Sequence, residues 1–201
     1  MPATGIFFQT LYIEVLYLFL HAYSRFRLPT LSNMCYSLRK FFYSSRMKDK
    51  KEEPGVQWRT HSEAETEQAG AELAVRLRPG TVVAMYGGLG MGKTAFVRGM
   101  AAGLGLSAEV SSPTFALVHE YGGRPPLVHF DMYRVSGWED VYATGFFEYI
   151  DGGAILAVEW SENIEGALPP GTLRVRFERL GETDRLITAE CGNRTEEGTR
   201  I

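Results

Sequence analysis

The chain has 201 residues, 45% hydrophobic and 22% charged, which suits one globular domain with a sizeable core, with or without a tail. A formal net charge of −3 gives no reason to expect strong, direct nucleic-acid binding, which depends on clustered Lys and Arg. Two distant cysteines, Cys35 and Cys191, exclude a disulfide framework or zinc site and point to a reducing cytoplasm, and His21, His61, His119 and His129 show no metal-ligand spacing and read as structural.

Charge is unevenly spread, with +4 over residues 1–46 and −7 over the remainder. The apolar run over residues 6–23 is interrupted by Gln9, Glu14 and His21. A membrane-spanning helix wants about 20 apolar residues, and a carboxylate near mid-membrane costs about 2.5–3.5 kcal/mol. No basic residue precedes the run, so it reads poorly as a secretory signal. Met47 opens a hydrophilic stretch of the kind that begins a soluble protein. Residues 1–50 are therefore read as an N-terminal extension, disordered or arising from a start assigned too early. A membrane or targeting segment is the alternative reading. Residues 1–46 are expected to be dispensable, and residues 51–201 form the functional domain.

Ser62-Glu-Ala-Glu65 is a capping box, and Ala69, Leu73 and Leu77 follow it on one helix face. Pro79-Gly80 ends the helix. Thr81-Val-Val-Ala-Met-Tyr86 is a continuous apolar run of strand length, as expected where a sheet is covered on both faces. After Gly87-Gly-Leu-Gly-Met-Gly-Lys-Thr94 comes a helix to about Leu104. Strands are predicted over 115–121 and 127–132, joined by a Gly- and Pro-rich turn. Ser136-Gly-Trp-Glu139 reads as a second capping box, opening a helix toward Thr144. Ala154 to Val158 is another buried strand, and Leu173, Val175 and Phe177 alternate with charged residues in a half-wet one. A last strand is predicted near 186–190. The pattern is α/β, a three-layer domain with a mixed, mainly parallel sheet and C-terminal antiparallel strands.

Gly87, Gly92, Lys93 and Thr94 fit the phosphate-binding loop pattern of P-loop NTPases, and the match lies between a buried strand and a helix, where its mechanism requires it. Backbone N–H groups of Leu89, Gly90, Met91 and Gly92 can turn inward around phosphate oxygens while the helix presents its N-terminus to the anion. Lys93 would reach the β- and γ-phosphates, and the Thr94 hydroxyl would bind Mg²⁺. Lys93 is expected to be exposed to the pocket. Asp131 and Glu159 stand where two apolar strands leave the sheet, the usual place for Mg²⁺-associated acids. A lone strand-end acid is more often a cap or a surface charge, but two beside a phosphate loop favour function. Ser112 and Thr114 lie in a loop that could sense the γ-phosphate. Trp160 is either core packing or a neighbour of the nucleotide, and Arg134 is either a charge stabiliser or a salt-bridge partner. No Asn-Lys-x-Asp segment for selecting guanine occurs, so ATP is the expected nucleotide.

The set Gly87-Gly-Leu-Gly-Met-Gly-Lys-Thr94, Ser112-Pro-Thr-Phe115, His129-Phe-Asp-Met-Tyr-Arg134 and Val158-Glu-Trp160 closely resembles the TsaE (YjeE) family, from about Trp58 to about Leu186. These are bacterial ATPases needed for threonylcarbamoyladenosine (t6A) modification of tRNA. The resemblance implies a compact mixed-sheet fold and slow, Mg²⁺-dependent ATP hydrolysis in support of the TsaB–TsaD pair. It maps Thr94 and Glu159 to the Mg²⁺ ligands, residues 89–94 with Asp131 to the ATP site, and Glu63 to a further nucleotide contact. Lys93, Asp131 and Glu159 are then the catalytic candidates. The family usually has an acid where Gly88 stands, so that carboxylate's role is absent here. Core acidity suits contact with partner proteins rather than with tRNA. Two rivals use the same loop: a small-molecule or nucleoside kinase, which should add an Arg-rich lid, and a non-catalytic nucleotide-gated binding module.

Overall fold

The computed structural model describes residues 55–191 apart from positions 108 and 114, so the readings made for residues 1–50 and for Thr114 lie outside the described residues. One seven-stranded sheet organises this region, in the order β1-β7-β6-β2-β5-β4-β3. Its strands are β1 (Val56–Thr60), β2 (Val82–Tyr86), β3 (Val118–Gly123), β4 (Pro126–Asp131), β5 (Ile155–Glu159), β6 (Leu173–Arg179) and β7 (Arg185–Cys191). The middle is parallel: β2 pairs in parallel with both β5 and β6, and β5 with β4. The edges are antiparallel, through β3 on one side and β7 and β1 on the other. The mixed, mainly parallel centre with antiparallel C-terminal strands is the predicted fold class.

The helices cover the sheet because its strands alternate apolar side chains to both faces. One face carries Val83, Met85, Ile155, Ala157, Val175 and Phe177, buried against helices α1 (Glu63–Ala74) and α2 (Lys93–Gly103). Phe96 of α2 is fully buried there, with edge-on contacts to Phe177 and Trp58 at 5.5 and 6.2 Å. On the opposite face Phe130 meets Phe146 and Tyr149 of helix α4 (Phe146–Asp151) at 5.5 and 5.9 Å. Among the described residues no helix is long and apolar enough to cross a membrane.

Helices α1 and α2 cross at unusually close range. A Cβ on Gly99 would stand 1.7 Å from the Glu67 carbonyl oxygen, and one on Gly70 would stand 2.1 Å from that of Phe96. Neither neighbour can give way, since both are backbone. Gly99→Ala should therefore push α2, with its N-terminal Lys93 and Thr94, off α1. The expected cost is about 3 kcal/mol or more, seen as a fall of about 10 °C in Tm. An unchanged melting curve would show that the helices do not cross at this distance.

Local chemistry explains where the elements depart from their sequence expectations. The first capping box forms in altered guise: Ser62 accepts from the Glu65 N–H at 3.2 Å, but Glu65 accepts from the His61 N–H at 2.8 Å, one residue further back than Ser62. The second forms with a different acid. Ser136 is held by Asp140, which accepts from its N–H at 2.9 Å and its hydroxyl at 3.0 Å, while Gly137 is the cap of α3 (Trp138–Ala143). Gly145, at φ 74°, then turns the chain into α4, a helix the sequence reading did not contain. Strand β3 begins at Val118 rather than at Phe115, because Leu117 folds back to the Pro113 carbonyl at φ 65°. Phe115 is left 88% exposed in that turn. Strand β1 and the 3₁₀ helix Ser161–Ala167 were likewise missing from the sequence reading.

Candidate functional site

Strands β2, β4 and β5 all end at the same rim of the sheet, β4 and β5 with their last residues in register and β2 one residue beyond them. Met85 pairs with Glu159, and Asp131 pairs with Glu159 from the other side. Strand alternation places Leu127, His129 and Asp131 on one face, with Ile155, Ala157 and Glu159 beside them. That is the face on which α2 lies, because Leu127, Ile155 and Ala157 share one core with Phe96 and Val97. The loop leaving β2 reaches α2 through Gly92, whose φ of 96° is a left-handed conformation that side chains resist. Two acidic strand ends, a glycine loop and a helix N-terminus therefore converge.

They surround a cavity of about 720 Å³. Its wall includes Leu89, Gly90, Met91, Gly92, Lys93, Thr94, Asp131, Glu159, Trp160 and Glu63, which are all the expected site residues except Gly87. Gly87 is set back: a Cβ there would stand 3.1 Å from the Phe177 carbonyl oxygen, and its own carbonyl accepts from Lys93. Ser112 lines the cavity as well. Arg134 is not part of that wall; its guanidinium lies over the Phe115 ring at 5.3 Å. Arg174 pairs with Glu165 and Arg176 lies over Tyr86 at 4.9 Å, so neither arginine is part of the cavity wall as a kinase lid would be.

Lys93 departs from its expected exposure. It is 4% exposed, with its ammonium donating to the carbonyls of Gly87 and Gly88, at 2.9 Å for the latter, and lying 4.3 Å from the Trp160 ring centroid. The loop curls around its own lysine, and the aromatic face supplies further cation–π attraction. Burial pushes the Lys93 ammonium pKa down, against the opposing fields of Glu159, Glu162 and Asp131. Trp160 takes this place at a backbone cost, with a left-handed φ of 56° that a bulky residue rarely adopts.

Glu159 is anchored by side chains from two different elements. Its Oε1 accepts from the Thr94 hydroxyl at 2.8 Å and from His129 Nε2 at 2.9 Å. Burial pushes its carboxyl up. The His129 hydrogen bond and attraction, the Thr94 bond and the charge of Lys93 outweigh that and hold it below the usual glutamate range. Asp131 is also buried; its Oδ1 accepts from the Tyr133 N–H at 3.0 Å and its Oδ2 stands 3.4 Å from the Ser112 hydroxyl. Glu63 is drawn to Arg98, which pairs also with Glu67 at 2.7 Å.

Several residues at the site were not foreseen. Arg98 stands one helical turn after Thr94, so its approach to the cavity follows from the helix period alone. Ser62, the cap of α1, and Thr66 come from the start of that helix, and Glu182, Thr183 and Arg185 from the β6–β7 hairpin, where no motif marks them. His129, read as structural, proves to be a fully buried partner of Glu159.

The donor set fits a polyphosphate with a hard cation. Backbone N–H groups, an ammonium and a helix N-terminus with no acid in its first turn suit an anion. A hydroxyl whose proton is given to Glu159 keeps its oxygen lone pairs for a metal, and oxygen ligands are what Mg²⁺ prefers.

The family model described as "Threonylcarbamoyl adenosine biosynthesis protein TsaE" matches residues 60–187. The tRNA threonylcarbamoyladenosine biosynthesis protein TsaE of Bacillus subtilis is 39% identical over 143 residues, 70% of this chain and 89% of that protein. The protein of the same description from Treponema pallidum is 37% identical over 129 residues, 64% of this chain and 96% of its own length. A crystal structure of YdiB from Bacillus subtilis superposes with a TM-score of 0.58 at 35% identity, covering 74% of this chain and 93% of that one.

Proposed function

The chain belongs to the TsaE family of threonylcarbamoyl adenosine biosynthesis proteins, and on that premise we propose that it is a Mg²⁺-dependent ATPase assisting a TsaB–TsaD complex in forming t6A in tRNA. The observation that carries this reading is the convergence of residues 89–94, Asp131 and Glu159 on one cavity, with the Thr94 hydroxyl bonded to Glu159. Residues 89–94 cradle the phosphates of ATP, and Lys93 turns from its loop carbonyls to the β- and γ-phosphates. Thr94 and Glu159 would hold Mg²⁺, which would supply positive charge against the phosphates. Asp131 stands by to orient a water or to accept its proton. Trp160 packs beside the nucleotide, and Glu63 adds a contact from α1. Hydrolysis by the chain alone is slow, and the partner complex stimulates it.

Reconstitution tests the pathway assignment. TsaB, TsaD, tRNA and the threonylcarbamoyl donor would be combined with and without this chain and Mg²⁺·ATP. Formation of t6A should depend on the chain and on ATP together. Equal yield in its absence would contradict the proposed role.

A further inference from the structure

We propose that His129 is a positioning residue that holds Glu159 against Thr94 and thereby sets the Mg²⁺ affinity of the site, an inference that rests on the Mg²⁺·ATP reading above. His129 is fully buried in the middle of β4, where an aliphatic side chain would fill the space at lower desolvation cost. Its Nε2 stands 2.9 Å from Glu159 Oε1, and the Tyr121 hydroxyl lies near its other nitrogen, 3.5 Å from Nδ1 and 3.4 Å from Nδ1 of His119. Tyr121 in turn donates to the Ser111 carbonyl at 3.1 Å, which ties this corner of β3 to the loop carrying Ser112.

The geometry at Glu159 shows what the imidazole contributes. Rotation of a glutamate carboxylate about its last side-chain bond is soft, so one hydrogen bond does not fix its plane. Thr94 supplies one donor from α2 and His129 a second from β4, and both converge on the same oxygen, Oε1. Oε2 is thereby left as the oxygen available to a ligand in the cavity that Glu159 lines. Accepting from Nε2 requires that nitrogen to carry a proton, so His129 donates to an ionised Glu159. Partners of this kind orient metal ligands, and their loss costs about 10- to 100-fold in metal affinity or activity.

The test separates hydrogen bonding from packing. His129→Leu keeps an apolar volume but removes the donor, whereas His129→Gln keeps an N–H the same number of bonds from Cβ as Nε2. A fluorescent ATP analogue would be titrated onto each full-length protein over a series of Mg²⁺ concentrations and in EDTA, with melting curves to confirm folding. His129→Leu should raise the Mg²⁺ midpoint about tenfold with EDTA affinity nearly unchanged, and His129→Gln should stay within about threefold of wild type. A Leu variant at the wild-type midpoint, or a Gln variant shifted as far as Leu, would overturn the proposal. Should His129→Leu not fold, His129→Met, another side chain without a donor, takes its place under the same criteria. Wild-type binding indifferent to Mg²⁺ would instead overturn the underlying reading, and this inference with it.

Discussion

Lys93→Ala is expected to lower kcat/KM for ATP hydrolysis by about 10³-fold, about 4 kcal/mol of transition-state stabilisation, while leaving the fold in place. The ammonium is the one cationic side chain within the 87–94 loop, and among the described residues it is the one lysine in the cavity wall, which also holds Arg98 and Arg185. Its present partners are carbonyls of Gly87 and Gly88, in a loop whose Gly88 is exposed, so water can replace the lost hydrogen bonds. Burial already disfavours the charged form, which limits what its removal costs the empty protein. The melting temperature should therefore move by only a few degrees, about 1 kcal/mol in stability. Calorimetric ATP titration and phosphate release, measured beside a melting curve, check both halves of this expectation. Hydrolysis within twofold of wild type would remove Lys93 from the mechanism.

The second large effect is expected at Glu159. Glutamine retains an oxygen able to accept from both Thr94 and His129, so Glu159→Gln removes charge while keeping the hydrogen bonds. Hydrolysis should fall about 100-fold, because a hard cation loses an anionic oxygen near its site. Nucleotide affinity without Mg²⁺ should be no weaker than wild type, since a carboxylate facing a polyphosphate is a repulsive neighbour. Titration with and without Mg²⁺ separates the two effects. A variant that hydrolyses normally, or that loses Mg²⁺-free affinity, would show that Glu159 serves packing rather than metal binding.

The parts of this site that sequence alone made legible are those built from contiguous residues. Strand β2, the glycine loop and α2 form one local unit, in which a buried apolar run, left-handed glycines and a helix start each leave their own signature. Asp131 and Glu159 could be read because each terminates an apolar strand, and parallel strands deliver their ends to one rim. His129 could not be paired with Glu159, because that contact depends on β4 lying beside β5 in a particular register. Strand β1 was invisible for a related reason. Val56, Trp58 and Thr60 offer only three alternating positions, and the strand is held by β7 through pairs such as Gln57 with Thr188, 131 residues apart. Lys93 was read as exposed because the motif describes it reaching for phosphate. In the structure the flexible stem lies against the loop carbonyls and the Trp160 face. Glu63 lines the cavity as expected, yet its carboxylate is engaged by Arg98, a pairing that only the close crossing of α1 and α2 creates.

On the proposed reading, residues 89–94, Asp131 and Glu159 form one Mg²⁺·ATP-hydrolysing site that works with a TsaB–TsaD complex. Its most direct test is the steady-state rate of phosphate release from Mg²⁺·ATP by the purified chain, alone and with that complex, against the Glu159→Gln variant. Slow release alone, a marked rise on adding the complex, and loss of both rates in the variant are expected. No release above background in either condition, or a stimulated rate that Glu159→Gln leaves intact, would contradict it.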